Sequence, residues 1–391
     1  MKSSIPSSNA GLYIHVPFCV KKCAYCGFYS VPRPGGVRAY LAALGREMAL
    51  YAGVFPAMDT LYLGGGTPSL LSPGQVAGVL EAAEYALPLL PEAHKSLEAN
   101  PGTVTAESLR GYRELGFDRI NLGVQSFDDA ALSFLGRSHT AQEAEEAFSL
   151  CREAGFAEVG LDLVYGLPGQ TAGRWKQDLD RALELSPEHL SCYLLSLEPG
   201  TPLFVRAEKG LFSPSPEGVA AGLFLFTSVY LEKRGYLHYE ISNFARGGEY
   251  VSPHNAKYWS RAPYLGLGPS AHSFLGGRRW WNARDVDDYV DRLGRGEAPV
   301  AGAEDLTPAQ EEMEWVFLGL RTRRGLDAAE YARRFGGDFA TPYGAAMERL
   351  AGLGYMSREG ERFFPTRKGM LKADGMAKNL WEAGQAVQGR E

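Results

Sequence analysis

Three cysteines lie close together near the N-terminus, at Cys19, Cys23 and Cys26. Their C-x3-C-x2-C spacing follows a short apolar stretch, on a segment long enough to place three thiolates around one face of an iron–sulfur cubane. A [4Fe-4S] cluster has four irons, so three cysteines leave one iron without a protein ligand. That iron can bind a small molecule through the molecule's own nitrogen and oxygen atoms. The spacing therefore predicts an iron–sulfur cluster with an open coordination site.

A zinc knuckle or buried thiols are the alternatives to the cluster. Zinc requires a fourth Cys or His at knuckle spacing. The two remaining cysteines, Cys151 and Cys192, lie far along the chain, each inside an apolar segment. The cysteine pattern therefore favours the cluster.

Composition narrows the class of protein. A chain of 391 residues is expected to hold one large domain with a smaller appendage. A net charge of −6 argues against nonspecific nucleic-acid binding, which needs a basic surface. Five cysteines, three of them in one motif, suit a reducing compartment, and no apolar run approaches the length of a membrane helix. We expect a cytoplasmic protein without an integral membrane segment.

Strand-length apolar runs alternate with amphipathic stretches over the first 240 residues. The sequence predicts helix N-termini at Ser72-Pro73, at Thr140 and at Thr307, since each is followed by Gln or Glu at capping-box spacing. Six β-α alternations indicate a parallel sheet, hence an α/β fold with a partial (β/α)6 TIM-like barrel. The candidate strands are Gly11–Phe18, Thr60–Leu63, Ser96–Ala99, Arg119–Val124, Glu158–Tyr165 and Leu190–Leu197.

The pattern changes after about residue 235. We predict a core barrel over 1–240, a connecting segment rich in aromatics and Gly over 241–300, and a C-terminal domain over 301–391. The pattern of the last part predicts helices followed by a short hairpin, 355–364. This combination is typical of a small α+β, winged-helix-like domain. Its acidic and basic residues nearly balance, so the sequence does not support a DNA-reading role.

Polar and glycine-rich motifs follow several candidate strands. Gly64-Gly65-Gly66-Thr67-Pro68 comes directly after the second, where glycines let the backbone approach a ligand. Glu98 ends the third strand, and in a barrel a carboxylate there is more often functional than structural. Asp162 lies inside an apolar strand and needs a partner, such as a ribose hydroxyl or Arg137. Arg137 can clamp a carboxylate, although a surface arginine is an equally good interpretation.

These motifs, in this order, resemble the radical S-adenosylmethionine (SAM) superfamily, in the branch of oxygen-independent coproporphyrinogen III oxidase and the HemW haem chaperones. The resemblance covers nearly the whole chain. It implies that SAM binds the open iron, and that an electron donor reduces the cluster if the sulfonium is to be cleaved. It also implies SAM contacts at Tyr13, Phe28, Gly65, Gly66, Thr67, Glu98, Gln125, Arg137, Asp162 and Ser196.

Within that branch the chain is more similar to the HemW family. The oxidase pattern has a further Cys two positions after Cys26, where this chain has Phe28, and an N-terminal extension before a cysteine motif that here begins at residue 19. The family's H-N-x-x-Y-W motif corresponds to His254, Asn255, Tyr258 and Trp259. The resemblance implies that these residues contact haem, because His can ligate haem iron and aromatic rings offer flat apolar faces to a porphyrin. His272 is a second candidate, and His15 a structural or cofactor-adjacent residue.

The resemblance predicts a haem chaperone that delivers haem to acceptor proteins such as respiratory enzymes. The alternative is a radical enzyme, either a coproporphyrinogen oxidase or a C-methyltransferase on the same scaffold. A third interpretation is a binding module that retains the cluster as a structural element only. The aromatic segment 241–300 is compatible with a homodimer, a haem site or simply the core.

Overall fold

The computed structural model describes residues 9–32 and 34–388. Most of these residues build one twelve-stranded sheet with helices packed around it. The strands are β1 (Ala10–Val16), β2 (Met58–Gly65), β3 (Leu89–Ala99), β4 (Phe117–Gln125), β5 (Glu158–Tyr165), β6 (His189–Leu194), β7 (Leu237–Glu240), β8 (Asn243–Ala245), β9 (Tyr264–Leu267), β10 (His272–Leu275), β11 (Arg278–Asn282) and β12 (Val300–Asp305). The accompanying helices are α1 (Val37–Leu50), α2 (Pro73–Ala86), α3 (Ala106–Glu114), α4 (Asp129–Leu135), α5 (Ala141–Glu153), α6 (Ala172–Glu184), α7 (Pro202–Glu208), α8 (Glu217–Glu232), α9 (Pro253–Ser260) and α10 (Val286–Gly294).

The first six strands lie side by side in chain order and are all parallel. This confirms the α/β partial barrel predicted from the β-α alternation. Helices begin where their caps predict: the side chains of Ser72, Thr140 and Thr307 each accept a hydrogen bond from the backbone of a capping box. The carboxyl ends of all six strands therefore meet at one edge, which is where the cysteine loop also begins.

The aromatic and glycine-rich segment contributes further strands to the same sheet. β9 pairs in parallel with β1, and β10 to β12 extend that side as antiparallel strands. On the other side β8 and β7 follow β6, also antiparallel. Most of these strands have three to five residues, too few for an alternating pattern to stand out in the sequence. Their pairing comes from the tertiary structure.

The C-terminal residues form a small unit with its own apolar core and an antiparallel three-stranded sheet, as predicted from the helices and hairpin. Its elements are α11 (Pro308–Gly319), β13 (Leu326–Asp327), α12 (Ala328–Phe335), α13 (Ala340–Gly352), β14 (Met356–Glu359), β15 (Arg362–Pro365), α14 (Arg367–Met370) and α15 (Ala373–Gln388). Backbone hydrogen bonds join it to the barrel: Ile241 donates to the carbonyl of Arg321, and Arg323 donates to that of Tyr239.

Large apolar side chains fill the space between the sheet and its helices. Trp175 on α6 and Tyr40 on α1 are fully buried, and α8 buries Leu223, Phe224 and Leu231. In the described part of the chain no helix is both long and apolar enough to cross a bilayer.

Candidate functional site

The loop after β1, which carries the three cysteines, is anchored by backbone hydrogen bonds. The Ala24 N–H donates to the carbonyl of Leu135 at the end of α4 (3.0 Å), and the Leu203 N–H of α7 donates to the carbonyl of Ala24 (2.8 Å). The three cysteines are half-buried. The loop is therefore held against the rim of the barrel with its thiols still accessible.

The sulfur donors fit a [4Fe-4S] cluster better than a zinc ion. Burial raises the pKa of the Cys26 thiol, and the nearby Cys23 and Cys19 raise it further. Cys151 and Cys192 are buried in the apolar core and cannot complete a zinc site. No group of three His, Cys, Asp or Glu side chains within residues 9–32 and 34–388 forms a site for one metal ion.

The glycine turn at the end of β2 lies beside Glu98 on β3. Gly65 has a φ of +111°, which favours glycine, and its N–H donates to a Glu98 carboxyl oxygen (3.0 Å). The Tyr62 hydroxyl donates to the other oxygen (2.9 Å). Desolvation raises the pKa of Glu98 to about 7, and the nearby Asp162 contributes. A cationic or hydroxyl group of a ligand placed here would favour the ionised form.

Arg137 connects three parts of the rim. Its guanidinium donates to the Cys23 sulfur (Nη1 to Sγ, 3.4 Å) and to the side-chain oxygen of Asn100. Asn100 in turn donates to the Thr67 hydroxyl (2.8 Å), and that hydroxyl donates to the Cys19 sulfur (3.5 Å). The Arg137 Nε is buried and has no protein partner, so a donor remains for a ligand. Two of the three cysteines are thus tied into one network.

Asn100 also belongs to this network, although no sequence motif identified it. Its position as a polar residue directly after the strand that carries Glu98 was a signal that could have identified it.

We expect Asn100→Ala to weaken cluster retention, because Thr67 and Arg137 both lose a hydrogen-bond partner, at about 1–3 kcal/mol per buried group left unpaired. Iron and sulfide content after reconstitution, with the EPR spectrum of the reduced cluster, measure this. Ser149→Ala, on the exposed face of α5, is the control. Cluster content and spectrum equal to those of the unchanged protein would contradict this role.

Tyr13 and His15 lie on β1 and face the interior of the barrel. The His15 Nε2 contacts the carbonyl of Tyr29 (2.9 Å) and must donate to it, so Nδ1 accepts from the Tyr13 hydroxyl (3.1 Å). Burial lowers the pKa of His15 to about 4, so the ring is neutral. A Cβ on Gly65 would lie 2.6 Å from the His15 ring. His15 therefore packs under the glycine turn.

Gln125 and Asp162 complete the inner face of the candidate site. Gln125 ends β4 with a φ of +73°, an unusual conformation for a residue other than glycine, and this often marks functional positions. Asp162 lies mid-strand on β5, beside Ser191. Desolvation raises the pKa of Asp162 to about 6, and the hydrogen bond from Ser191 opposes that rise.

Two other predicted SAM contacts lie on the surface. The Phe28 side chain is 71 % exposed on the cysteine loop, and Ser196 is exposed beyond the end of β6. The exposed apolar ring of Phe28 lies on the cysteine loop, where it can cover a ligand that binds there. The structure describes no hydrogen-bond partner for the Ser196 side chain. The residues that the fold brings together at the rim are Cys19, Cys23, Cys26, Gly65, Gly66, Thr67, Glu98, Gln125 and Arg137.

The H-N-x-x-Y-W motif lies on α9, and its His254 ring stacks on that of Tyr62, with the centroids 5.2 Å apart. Both ring nitrogens of the buried His254 have hydroxyl partners: Nδ1 contacts Thr60 (2.9 Å) and Nε2 contacts Tyr258 (2.8 Å). Burial lowers the pKa of His254 to about 3. Haem ligation by His254 would require one of these hydrogen bonds to break. Asn255 lies in the first turn of α9, and Trp259 is partly exposed at its end.

His272, the second histidine proposed for haem, lies at the start of β10. It is exposed and its ring stacks on that of Trp281, with the centroids 5.9 Å apart. Burial against its neighbours lowers its pKa, and Arg279 adds to the effect.

Comparison with known proteins places the chain in a family. The profile of the Radical SAM superfamily matches residues 13–182, and that of the HemN C-terminal domain matches residues 306–371. The chain is 35 % identical over 386 residues to the heme chaperone HemW of Mycobacterium tuberculosis, covering 96 % of each chain. The chain belongs to the HemW family. The HemW of Bacillus subtilis is 34 % identical over 365 residues, covering 92 % of this chain and 96 % of that one.

The fold of this HemW family member is also that of a solved oxidase. Coproporphyrinogen III oxidase (HemN) from Escherichia coli superposes with a TM-score of 0.82 at 24 % identity, covering 97 % of this chain and 91 % of that one. This likeness concerns the arrangement of sheet and C-terminal unit. The similarity to HemW proteins over nearly the whole chain confirms the family resemblance predicted from the cysteine, glycine and H-N-x-x-Y-W motifs.

Proposed function

We propose that this protein is a cytoplasmic haem chaperone, which holds a [4Fe-4S] cluster and SAM at the carboxyl ends of the strands and passes haem to acceptor proteins such as respiratory enzymes. The observation that carries the proposal is the similarity to proteins named heme chaperone HemW over nearly the full length of both chains. The cluster and SAM follow from membership of the radical SAM superfamily.

The residues of the rim support the cofactor part of the proposal. Cys19, Cys23 and Cys26 would hold three irons, and the fourth would bind the amino and carboxylate groups of SAM. When bound, the cluster supplies an electron to the SAM sulfonium. The glycine turn offers N–H groups to the ligand, Glu98 offers an acceptor, and Arg137 offers a donor to a carboxylate.

Phe28 supports the chaperone over the oxidase. It stands two positions after Cys26, where the oxidase pattern has a further Cys, and it is exposed. A phenylalanine cannot ligate iron or carry a thiol reaction, so the loop of this protein lacks a group available to the oxidase.

The test is haem transfer. Cluster-reconstituted protein is loaded with haem under anaerobic conditions and mixed with a haem-free acceptor, and the acceptor's absorbance and activity are followed. We expect transfer by the intact protein and loss of transfer in Cys23→Ala, with the circular dichroism spectrum retained. Failure to donate haem to any acceptor, together with 5′-deoxyadenosine release on a tetrapyrrole substrate, would favour a radical enzyme. Unfolding of Cys23→Ala would favour a purely structural cluster.

A further inference from the structure

Glu98 on β3 is the first member of a line of hydrogen-bonded side chains that leads away from the glycine turn. The Tyr62 hydroxyl, on β2, donates to Glu98 Oε1 (2.9 Å) and accepts from Nδ2 of Asn121, on β4 (3.1 Å). Oδ1 of Asn121 accepts from Nε of Arg119 (3.4 Å). Arg119 is fully buried and forms an ion pair with Glu158 on β5 (3.1 Å). The line therefore connects Glu98 to an ion pair two strands away.

The direction of each hydrogen bond in this line is determined from its arginine end. A guanidinium can only donate, so Asn121 turns its oxygen towards Arg119 and its amide nitrogen towards Tyr62. That amide nitrogen can also only donate, so the Tyr62 hydroxyl accepts from it and directs its single proton to Glu98. Tyr62 is therefore bound to act as a donor to the Glu98 carboxyl.

The ring of Tyr62 is held between two other rings. It stacks on Tyr13 of the neighbouring β1, with the centroids 6.2 Å apart, and on His254 of α9, with the centroids 5.2 Å apart. Both nitrogens of His254 contact hydroxyl groups, which hold that ring in its orientation. The histidine of the H-N-x-x-Y-W motif thus packs against the residue that donates to Glu98.

Gly64 allows these groups to approach one another. A Cβ at this position would lie 2.9 Å from the Tyr62 ring, 3.0 Å from the Tyr13 ring and 3.2 Å from the carboxyl carbon of Glu98. A side chain here would therefore push the two rings and the carboxyl apart.

The electrostatic surroundings of Glu98 make its hydrogen bonds important. Burial and the nearby Asp162 raise the pKa of Glu98 to about 7, and the hydrogen bonds from Tyr62 and Gly65 oppose that rise. Three further hydroxyls face Glu98 from β1, β6 and α9, and burial keeps them neutral by raising their pKa above its usual value; they belong to Tyr13, Tyr193 and Tyr258. Near neutral pH the two donors therefore affect what fraction of Glu98 is ionised.

We propose that Tyr62 is a positioning residue for SAM binding, which holds the Glu98 carboxylate in place for an N–H of the SAM amino group. Asn121 and Arg119 aim the Tyr62 hydroxyl, and His254 fixes the ring that carries it. The inference rests on the proposed function, in which Glu98 is an acceptor for SAM. It gives the histidine of the H-N-x-x-Y-W motif a role in cofactor binding that acts through a stacked ring.

The first experiment measures SAM affinity as a function of pH, by anaerobic equilibrium dialysis with the full-length, cluster-reconstituted protein. Tyr62→Phe keeps the ring stack and removes the hydroxyl, so we expect the pKa of Glu98 to rise by about one unit. If the carboxylate is the form that binds, affinity should fall about fivefold at pH 7 and return to that of the unchanged protein by about pH 9. Titration of SAM itself cancels in the ratio of the two affinities.

Tyr236→Phe is the matched control for this substitution. Tyr236 is also buried, and its hydroxyl donates to the carbonyl of Pro187 (2.5 Å), away from Glu98. This variant loses one buried tyrosine hydroxyl as well, so it should resemble Tyr62→Phe in melting temperature but bind SAM as the unchanged protein does at every pH.

A second pair of variants separates stacking by His254 from its hydrogen bonds. His254→Phe keeps a flat ring against Tyr62, whereas His254→Ala removes it. We expect His254→Ala to weaken SAM binding about fivefold or more at pH 7 and His254→Phe to restore most of the affinity. Circular dichroism spectra establish that each variant folds. Equal loss of affinity in both variants would contradict a role through stacking.

An infrared titration observes Glu98 directly, on the same cluster-loaded protein without SAM. The carbonyl band of protonated carboxyls is followed against pH, and the band missing from Glu98→Gln identifies Glu98. We expect a midpoint near pH 7 in the unchanged protein and in Tyr236→Phe, and a midpoint about one unit higher in Tyr62→Phe.

The outcomes distinguish this inference from the proposed function. If Tyr62→Phe binds SAM as tightly as the unchanged protein, or loses affinity equally at every pH with the infrared midpoint unmoved, Tyr62 only packs and the inference is wrong, while haem transfer is unaffected. If the variants behave as expected but the protein passes haem to no acceptor, the chaperone function fails and the positioning role stands. If the unchanged protein does not bind SAM, the cofactor part of the proposed function fails and this inference fails with it.

Discussion

Gly66→Ala is expected to destabilise the protein by about 2 kcal/mol and to impair cluster incorporation. A Cβ at this position would lie 2.6 Å from the carbonyl oxygen of Phe18 and 2.9 Å from that of Val16. Both are backbone atoms of the segment leading into Cys19, and the Gly66 N–H donates to the Val16 carbonyl (2.8 Å). Relief of the clash therefore requires the cysteine loop to move away from the glycine turn. Denaturant unfolding and iron content after reconstitution measure the two effects.

Gly78→Ala is the matched control for this substitution. Gly78 lies inside α2, and a Cβ there would meet no atom within 4 Å. Since alanine is the better helix former, this variant should gain about 0.5–1 kcal/mol and incorporate the cluster normally. Equal stability and equal iron content in the two variants would show that the turn does not press on the loop.

Glu47→Gln is expected to change how stability depends on pH. Glu47 is fully buried on α1, and burial raises the pKa of its carboxyl from 4.5 to about 7, against the hydrogen bonds donated by Tyr289, Gly268 and Asn282. The folded state then binds more protons than the unfolded state between these two pH values. The unchanged protein should therefore lose stability as the pH rises from 4.5 through 7. At about 1.4 kcal/mol per pK unit, the loss from this group approaches 3 kcal/mol.

The measurement is the free energy of unfolding of both proteins from pH 4.5 to 8. Any constant offset from the altered hydrogen bonds cancels in the comparison, so only the slope matters. The variant should become more stable relative to the unchanged protein as the pH rises, by about 3 kcal/mol over this range. Parallel curves would mean that Glu47 titrates normally, and a difference of opposite sign would mean that its carboxylate form is the stabilised one.

The hydrophobic periodicity and the helix-capping residues of the sequence predicted much of the fold. The strand Glu158–Tyr165 was predicted with the bounds that β5 has, and the caps at Ser72, Thr140 and Thr307 mark the starts of α2, α5 and α11. These signals are local: an apolar run, a hydroxyl and a carboxamide or carboxylate three residues later. The order of six parallel strands followed from them, because a β-α-β crossover has one favoured hand.

The sequence also predicted the family, and with it the expected cofactors, since C-x3-C-x2-C, the glycine turn and H-N-x-x-Y-W are short motifs of fixed spacing. The sequence did not predict the contacts that each of these residues makes. Asn100 acquires a role only because Arg137 and Thr67, each more than thirty positions away, reach it from other elements. The motif predicts a haem contact at His254, and the tertiary structure adds that Thr60 and Tyr258 are the hydrogen-bond partners of its two nitrogens.

The sequence by itself determined the six parallel strands, the helix starts and the set of chemically competent side chains, because each depends on residues close together in the chain. The tertiary structure alone decided which polar groups are satisfied and where a large ligand fits. A cleft beside α9, for example, is lined by strands of the sheet, by α9 and by the C-terminal unit, with residues that extend from Asp59 to Met370 along the chain. Local sequence patterns do not indicate such contacts, because the contacts form only when the C-terminal unit packs against the sheet.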